Sequence, residues 1–423
     1  MPHLVLIGLA AILLWSLISH RFERWGVAGP LGLLLLGAAT VIWDVDAFGS
    51  AIDSPISEKI VEVILAVLLF VDATEVKGGI FGREGKVIAR LVLIALPLSI
   101  ALTVTAGAFL IPDAGLLVLF VIACVILPTD FAPAASLLRN RRVPARLRQI
   151  LNVESGYNDG LISPVFGMSL ALAVIWSTFS HTPESDITED SLEAPIIRFF
   201  DVFINAVPST VIAIVIGVVL GAGIGYIVRI VRARAIADAL GARYVMLILP
   251  LIAYGVANIP AFEANGFVAA FVAGIGYRMT RTKGRLSEGI DHSELLLVEE
   301  VGSLAASFVW FVLGGAMLVV VVSGIDWWML LFAVLALTVL RIIPVYLSLM
   351  RSTVGRGDRL LVGALGPRGT ASIVFGLLAY NALPEDEGVI VLTVMVATVV
   401  GSIVLHGLGA PLLLRRRRAE EPA

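Results

Sequence analysis

The segment ESGYNDG, residues 154–160, places two carboxylic acids and an amide at the start of a long apolar run. In a helix, Ser155 lies one turn before Asp159 on the same face. The serine hydroxyl and the aspartate carboxylate can then converge on one hard cation, because such cations prefer oxygen ligands. A single acidic ligand suits a monovalent ion better than a divalent one. Glu154 likewise lies one turn before Asn158, whose amide has two open roles, ion contact or a structural hydrogen bond to the helix opposite.

A second polar group lies in the preceding apolar segment, VLFVIACVILPTDFAPAASLL. Pro128 and Pro133 flank Thr129 and Asp130, and each proline removes a backbone donor and clashes with the preceding turn. We therefore expect the helix to be unwound between the two prolines. The Thr129 carbonyl oxygen would then be free to join the ligands of the ESGYNDG segment, as unwound carbonyls do in other membrane ion sites.

A segment near the C-terminus, LLVGALGPRGTASIVFGLLAY, is interrupted in the same way. Gly366, Pro367 and Gly369 surround Arg368. Non-helical backbone at membrane depth is tolerated only where it is buried in protein or lines a wet cavity. The ends of half-helices carry partial charges, and Asp130 and Arg368, with opposite signs, can neutralise them.

The composition indicates what kind of scaffold must position these groups. Of the 423 residues, 59% are hydrophobic and 15% are charged, whereas soluble domains have about 25% charged residues. We therefore expect an all-α polytopic membrane protein, with about 20 apolar residues in each membrane-spanning helix. The apolar runs predict thirteen spans, near residues 3–19, 27–43, 58–76, 91–111, 115–138, 150–177, 203–228, 243–258, 264–277, 300–323, 327–350, 360–380 and 388–412.

The loops between these runs orient the chain. Lys and Arg collect in cytoplasmic loops. Basic loops follow the odd-numbered spans, non-basic loops follow the even-numbered ones, and the chain closes with four arginines at 415–418. A missed or invented span would reverse this alternation. We therefore expect the N-terminus outside and the C-terminus in the cytoplasm, in a plasma (inner) membrane.

The two interrupted spans are the fifth and the twelfth, so they run in opposite directions. Paired interruptions of this kind indicate inverted repeats and lie at the binding sites of transporters. The pattern predicts two inverted six-helix repeats, spans 1–6 and 8–13, with span 7 as the connector.

Five charged residues within these spans support a transport pathway. A lone ionised side chain at the bilayer centre costs about 2.5–3.5 kcal/mol, so such residues are paired or mark a pathway. The five are Asp130, Glu154, Asp159, Arg341 and Arg368.

Other classes of function are less well supported by the sequence. The single cysteine, Cys124, excludes an intramolecular disulfide, and the five histidines have no tight metal-binding spacing. Because no nucleophile–base arrangement is present, we expect neither an enzyme nor a cofactor, and we expect no nucleic-acid partner. A channel would need a continuous pore, and a cation-coupled solute symporter would need more groups to hold its solute.

The segment PTDFAPAASLLRNRRVPARLRQILNVESGYNDG resembles the NhaP/NHE-type sodium/proton exchangers, the electroneutral branch of the monovalent cation/proton antiporters. The shared features are the Thr-Asp pair at 129–130, the basic loop after it and the Glu-Ser-x-x-Asn-Asp pattern at 154–159. LGPRGTAS resembles the Gly-x-Arg-Gly motif of the second broken helix, and Arg341 matches the arginine of span 11. This sequence departs from the family at Phe131, where proline is usual, and at residues 156–157, where apolar residues are usual.

The resemblance implies a fold like that of NhaA, with two crossed unwound helices, and a homodimer. It divides the chain into dimerisation helices 1–3, core helices 4–6, a linker with dimerisation helices 8–10, core helices 11–13 and a basic cytoplasmic tail. The corresponding ranges are 1–90, 91–178, 197–323, 326–414 and 415–423.

The resemblance also implies roles for the polar residues. Asp159 is expected to bind the cation or the proton, with Ser155, the Thr129 backbone and Asp130 assisting. Asp72, in LFVDATEV, matches an acid that helps to coordinate the ion in some relatives. Glu154 and Arg341 are expected to form a buried structural pair.

The expected activity is one-for-one exchange of Na⁺ or Li⁺ for H⁺ across a lipid bilayer, by alternating access to Asp159. A K⁺/H⁺ antiporter of the same fold is the alternative, and a cation-coupled solute symporter is a weaker one.

Overall fold

The structure is a computed structural model that describes residues 2–24, 28–131, 143–180, 189–283 and 289–409. Its regular elements are helices, with one isolated bridge between Gly79 and Gly82. In chain order the helices are α1 (Pro2–Arg24), α2 (Gly29–Val41), α3 (Val45–Ile52), α4 (Pro55–Glu75), α5 (Gly85–Leu110), α6 (Leu116–Ile126), α7 (Ala145–Ser180), α8 (Glu189–Ala233), α9 (Ala239–Ala257), α10 (Gly266–Arg281), α11 (His292–Ser323), α12 (Trp327–Ser348), α13 (Arg356–Ala364), α14 (Thr370–Ala382) and α15 (Glu385–Val404).

Short polar side chains set where several helices begin. Ser54 accepts a hydrogen bond from the Ser57 N–H at the start of α4, and Pro55 occupies the first turn. Asn265 and Asp326 accept backbone N–H groups at the starts of α10 and α12 in the same way. Each cap satisfies a donor that has no partner within the helix, so these residues fix the helix boundaries between apolar runs.

Among the described residues, seven helices are long and apolar enough to cross a membrane, or eight if a bent pair counts as one span. That pair is α2 and α3, which meet at an angle of 117°. Three shorter apolar helices lie at Leu6–Phe22, Leu116–Ile126 and Thr370–Ala382. The thirteen-span count therefore stays a prediction, while the all-helical membrane architecture is confirmed at this coarser level.

Some elements differ from the apolar runs that predict them. α8 begins at Glu189, well before the predicted span at 203–228, because a helix can continue through polar sequence beyond the apolar run. α3 was not predicted, since its eight residues are too few to span a bilayer.

The helices pack in two groups. In one group α8 lies along α10, α10 lies along α4 and α9, and α11 lies along α2. In the other, α6 packs on α7, and α15 packs on α12 and α14. The groups meet where α7 contacts α4, α8 and α10, where α14 contacts α4 and α11, and where α15 contacts α11. Asp72 of α4 and Asp159 of α7 lie at this boundary.

Candidate ion-binding site

Two interruptions of the helical backbone are in direct contact at the site. α6 ends at Ile126 and the chain is non-helical through residues 127–131, while α13 ends at Ala364 and α14 begins only at Thr370. The backbone N–H of Asp130 donates to the Pro367 carbonyl oxygen at 2.8 Å. The two interrupted segments are therefore joined directly, although Pro133 lies outside the described residues.

Asp130 also holds the start of α14. Its Oδ2 accepts the Thr370 backbone N–H at 2.7 Å. A carboxylate at this place satisfies one of the unpaired donors of the helix and interacts favourably with its dipole. Asp130 thus neutralises a half-helix end, as the opposite charges at the two interruptions suggest.

Arg368 lies fully buried within the second interruption. Its guanidinium donates to the Gly366 carbonyl at 2.9 Å and to the Ala336 carbonyl at 3.5 Å. Ala336 belongs to the turn of α12 that precedes an irregular backbone at Thr338, so its carbonyl lies at the end of a helical segment. A cation is favourable at such a C-terminal position.

α15 supplies two further polar groups that sequence reasoning did not single out. The hydroxyl of Ser402 accepts the Arg368 backbone N–H at 2.8 Å and lies 3.1 Å from Nδ1 of His406. Nε2 of His406 lies 3.1 Å from the Ala364 carbonyl. These side chains therefore connect both edges of the second interruption, and the only signal for them is a serine and a histidine one turn apart in an apolar run.

α7 brings its polar face to the first interruption. The Ser155 hydroxyl donates to the Thr129 carbonyl oxygen at 2.5 Å. Nδ2 of Asn158 donates to the Thr129 hydroxyl at 3.1 Å and, more weakly, to Glu154 at 3.4 Å. The amide nitrogen therefore makes a structural hydrogen bond. Among the described residues the buried Oδ1 of Asn158 has no hydrogen-bond partner, so its contact with an ion stays a prediction.

Asp159 is an acidic group of α7 for which the described residues provide no ion-pair partner. It is buried, and among the described residues its Oδ1 has no hydrogen-bond partner. Together with Asp72, Asp130 and Ser155 it lines a cavity of about 280 Å³. An unpaired buried carboxylate oxygen is costly, so this atom is suited to receive a cation or a proton.

Two more acids line the same cavity, and sequence reasoning did not include them. They are Glu75, one turn after Asp72 on α4, and Glu299 on α11. The spacing of Asp72 and Glu75 was a usable signal, because it places both acids on one helical face.

Glu154 and Arg341 form a buried ion pair beside this cavity. Nη2 of Arg341 lies 3.0 Å from one carboxylate oxygen of Glu154 and 3.1 Å from the other. Both side chains are nearly inaccessible to solvent. Glu154 is therefore neutralised by a partner, whereas Asp159, five residues later on the same helix, forms no ion pair with any described residue.

The unusual residues at 156–157 have structural reasons. A Cβ atom on Gly156 would lie 3.2 Å from the Cβ of Asp72, so the glycine allows α7 to approach α4 closely. The Tyr157 hydroxyl donates to the Ile80 carbonyl, which also accepts a hydrogen bond from Arg278 of α10. These contacts join α7 to helices of the other packing group.

This arrangement can exchange ions without covalent chemistry. The cavity presents the unpaired Asp159 oxygen near the Ser155 hydroxyl, which hydrogen-bonds to the Thr129 carbonyl of the interrupted segment. Oxygen atoms of these kinds are ligands suited to a small monovalent cation.

The family model described as sodium/hydrogen exchanger, transmembrane, matches residues 8–416. The chain belongs to this family. The match covers nearly the whole chain and confirms the family predicted from the motifs.

The proteins to which this chain is similar include antiporters. The chain is 24% identical over 345 residues to a Na⁺/H⁺ antiporter of Schizosaccharomyces pombe, and the match covers 78% of this chain and 68% of that protein. It is also similar to the structure of the sodium proton antiporter MjNhaP1 from Methanocaldococcus jannaschii at pH 8, with a TM-score of 0.71 and 19% identity, over 96% of this chain and 98% of that one.

A second structure of MjNhaP1, an electron-microscopy map, matches with a TM-score of 0.65 and 18% identity, over 99% of the exchanger and 98% of that chain. Identities this low establish a shared fold. These relatives are antiporters, which are transporters rather than enzymes.

Proposed function

We propose that this chain exchanges Na⁺, or Li⁺, for H⁺ across a membrane, and that the two ions compete for Asp159. Family membership and the antiporter relatives support sodium/proton exchange as the general activity. The observation that carries the assignment to Asp159 is its buried, unpaired Oδ1 in a cavity shared with Ser155 and four further acids. No cofactor is required, because the transported ions are the only reactants.

The competition follows from the cost of burying charge. An ionised carboxylate without a partner is unfavourable inside the protein. Either a proton or a monovalent cation neutralises Asp159, but the same oxygen atoms cannot hold both. A loaded site can therefore cross between the two sides at lower cost than an empty one, which couples the two fluxes.

The proposed stoichiometry is one cation for one proton. Residue 158 is asparagine, and its Nδ2 is engaged by Thr129 and Glu154. Glu154 in turn is neutralised by Arg341. In this proposal Asp159 alone alternates between the two ions while the other acids of the cavity keep a constant charge, so the exchange moves no net charge.

The finer architecture is part of the same proposal. Thirteen spans would form two inverted repeats, as in NhaA, with the N-terminus outside and the C-terminus in the cytoplasm of a plasma membrane. The mobile core would comprise 91–178 and 326–414, and a homodimer would form through 1–90 and 197–323. The division of the helices into two packing groups that meet at the site supports this arrangement.

Within this scheme the other residues assist Asp159. Ser155 and the Thr129 carbonyl would complete the cation shell, with Asp72 on the facing helix contributing an oxygen. Asp130 and Arg368 would hold the crossed helices, and Glu154 with Arg341 would hold the core together.

A transport assay in proteoliposomes tests the proposal. The full-length chain is reconstituted, a pH gradient is imposed, and Na⁺, Li⁺ and K⁺ are supplied separately. We expect Na⁺ or Li⁺ to dissipate the gradient in the wild type. K⁺ acting alone would instead favour a K⁺/H⁺ antiporter of the same fold.

Two further measurements in the same assay test the role of Asp159 and the one-for-one stoichiometry. Asp159→Asn should abolish exchange, while Asp113→Asn, the same change at an exposed position, should not. Clamping the membrane voltage at different values should leave the rate unchanged. A clear dependence on voltage would contradict one-for-one exchange, and activity in Asp159→Asn would remove its proposed role.

A further inference from the structure

A basic pocket lies between the C-terminal ends of α8 and α10, away from the ion-binding cavity. It has a volume of about 500 Å³ and is lined by Arg229, Arg232, Arg281 and Lys283, together with Ala233 and Thr282. Neither the exchange reaction nor the helix packing described above accounts for this concentration of positive charge.

Only part of that charge is neutralised by the protein. Glu294, at the start of α11, is fully buried and pairs with Arg281, whose Nε lies 3.1 Å from Oε2. Nε of Arg232 lies 3.7 Å from the other oxygen of the same carboxylate. Asp291 lies close enough to both arginines that they contribute to lowering the pKa of its carboxyl, after the larger effect of its hydrogen bonds to Ser293.

The remaining two cations have no such partner. The Arg229 guanidinium lies 5.4 Å from the centre of the Tyr226 ring, and Lys283 is exposed. Within the described part of the chain, neither forms an ion pair. The pocket therefore keeps a surplus of positive charge with planar guanidinium groups, which is the arrangement that binds phosphate oxygens.

The surface next to the pocket is apolar and points to the kind of molecule that carries the phosphate. Val215, Val219, Tyr226 and Arg229 follow one another at helical spacing on one face of α8. The first three are more than half exposed. A molecule with a phosphate in the pocket can thus lay hydrocarbon along the same helix, as a lipid does and a free phosphate does not.

We propose that this pocket binds the phosphate-bearing headgroup of an anionic phospholipid, with its acyl chains along the exposed face of α8. Basic pockets between membrane helices on the cytoplasmic side are known to take such headgroups. The alternation of basic loops assigns these helix ends to that side. The inference does not depend on the transported ion.

The test uses a variant that removes only the two unpaired cations, Arg229→Gln/Lys283→Gln. The matched control, Lys86→Gln/Arg356→Gln, removes two exposed cations from other basic loops of the same membrane side. Arg232 and Arg281 are left unchanged because they neutralise Glu294. The full-length proteins are purified in a non-ionic detergent and titrated with phosphatidylglycerol or phosphatidylcholine.

The readouts are the thermal unfolding midpoint and the number of lipids retained in native mass spectrometry. We expect phosphatidylglycerol, but not phosphatidylcholine, to raise the midpoint of the wild type and the control. Each cation near an anionic lipid contributes roughly a five-fold change in affinity, so the variant should need roughly 25-fold more phosphatidylglycerol. It should also retain fewer lipids.

Inorganic phosphate and glycerol 3-phosphate are titrated separately, as soluble anions that carry no acyl chains. An equal shift with either soluble anion at the same concentration would show an anion site without lipid and would overturn the proposal. Equal affinity in the wild type and the variant would also overturn it. A variant that binds phosphatidylglycerol normally but no longer forms a dimer would overturn it as well, because the two cations would then contact a second copy of the chain.

Discussion

Two buried glutamates in this protein have arginine partners, yet their surroundings have opposite charge. Glu154 pairs with Arg341 beside the cavity that holds Asp72, Asp130 and Asp159, so acids predominate there. Glu294 pairs with Arg281 and Arg232 beside a pocket in which cations predominate. A buried Glu–Arg pair therefore occurs both where negative charge is in excess and where positive charge is in excess. The charged groups outside the pair, rather than the pair itself, indicate whether a region attracts cations or anions.

The two pairs also differ in how replaceable the arginine is. Arg341 and Glu154 have side-chain exposures of 6% and 3%. Arg281 and Arg232 are 21% and 27% exposed, and both approach the fully buried Glu294. The first pair depends on one buried cation, whereas the second has two cations that reach water.

The largest expected effect concerns activity. Asp159→Asn should reduce exchange to background in proteoliposomes, because it removes the unpaired acid of the acidic region. Glu294→Gln, an acid-to-amide change in the basic region, should leave exchange measurable. Loss of exchange in both variants would show that the two regions are not functionally distinct.

The next effect concerns stability. Arg341→Gln strands Glu154 in a buried position, which should cost about 3–5 kcal/mol. Arg281→Gln should cost less, about 1–3 kcal/mol, because Arg232 still faces Glu294. Thermal unfolding in detergent compares the two variants. Adding Glu154→Gln to Arg341→Gln should recover part of the loss, and a larger cost for Arg281→Gln would contradict the comparison.

A smaller effect on the exchange rate is expected from a contact that joins α7, beside the acidic cavity, to α10, beside the basic pocket. The Tyr157 hydroxyl, on α7, and Arg278, on α10, both donate to the Ile80 carbonyl. Tyr157→Phe removes one hydrogen bond, which is worth about 0.5–1.5 kcal/mol. We expect an exchange rate changed by a few-fold with little change in the cation concentration for half-maximal rate. An unchanged rate would show that this link does not affect exchange.

The smallest effect should come from an exposed pair of the same type. Glu84 and Arg146 are 27% and 43% exposed and lie 2.7 Å apart. The hydrogen bond from Arg146 lowers the pKa of Glu84, with burial acting weakly in the opposite sense. The pair therefore contributes stability above the ordinary glutamate pKa and loses it as pH falls through the lowered one.

Glu84→Gln should destabilise the protein by about 0.2–1 kcal/mol at neutral pH, since solvent screens exposed pairs. The difference from wild type should fade as the pH falls below about 4. Unfolding midpoints at pH 7 and pH 4, with and without added salt, measure this. A difference that grows in acid would contradict the assigned sign.

The sequence predicted the features that depend on local spacing and on strong steric rules. Pro128 and the Gly-Pro-Arg-Gly run locate interruptions by removing donors, and the spacing of residues 154–159 puts Ser155 and Asn158 on the face that meets Thr129. Motif and family are read from the same short segments. The role of these residues in ion binding remains a prediction.

Features that depend on contacts between distant segments were not predictable. Nothing near Ser402 or His406 in the sequence indicates that they contact Arg368 and Ala364. The surplus of cations around Glu294 arises because three helix ends meet, whereas in the sequence the same arginines are explained by membrane topology alone. Short or bent helices such as α3 also lack the long apolar run on which span prediction depends.

The glycines of α7 have a consequence for the spacing of the helices around the acidic cavity. Side chains on Gly156 and Gly160 would meet Asp72 and the ring of Phe271, at 3.2 Å and 2.5 Å from the added carbon. The close contact of α7 with its neighbours α4 and α10 therefore depends on the absence of a side chain at both places, and at Gly160 the Phe271 ring of α10 packs directly on the backbone of α7. We expect an added methyl group at either position to act as a wedge that separates α7 from its neighbour, and at Gly156 to enlarge the cavity that Asp72 and Asp159 line.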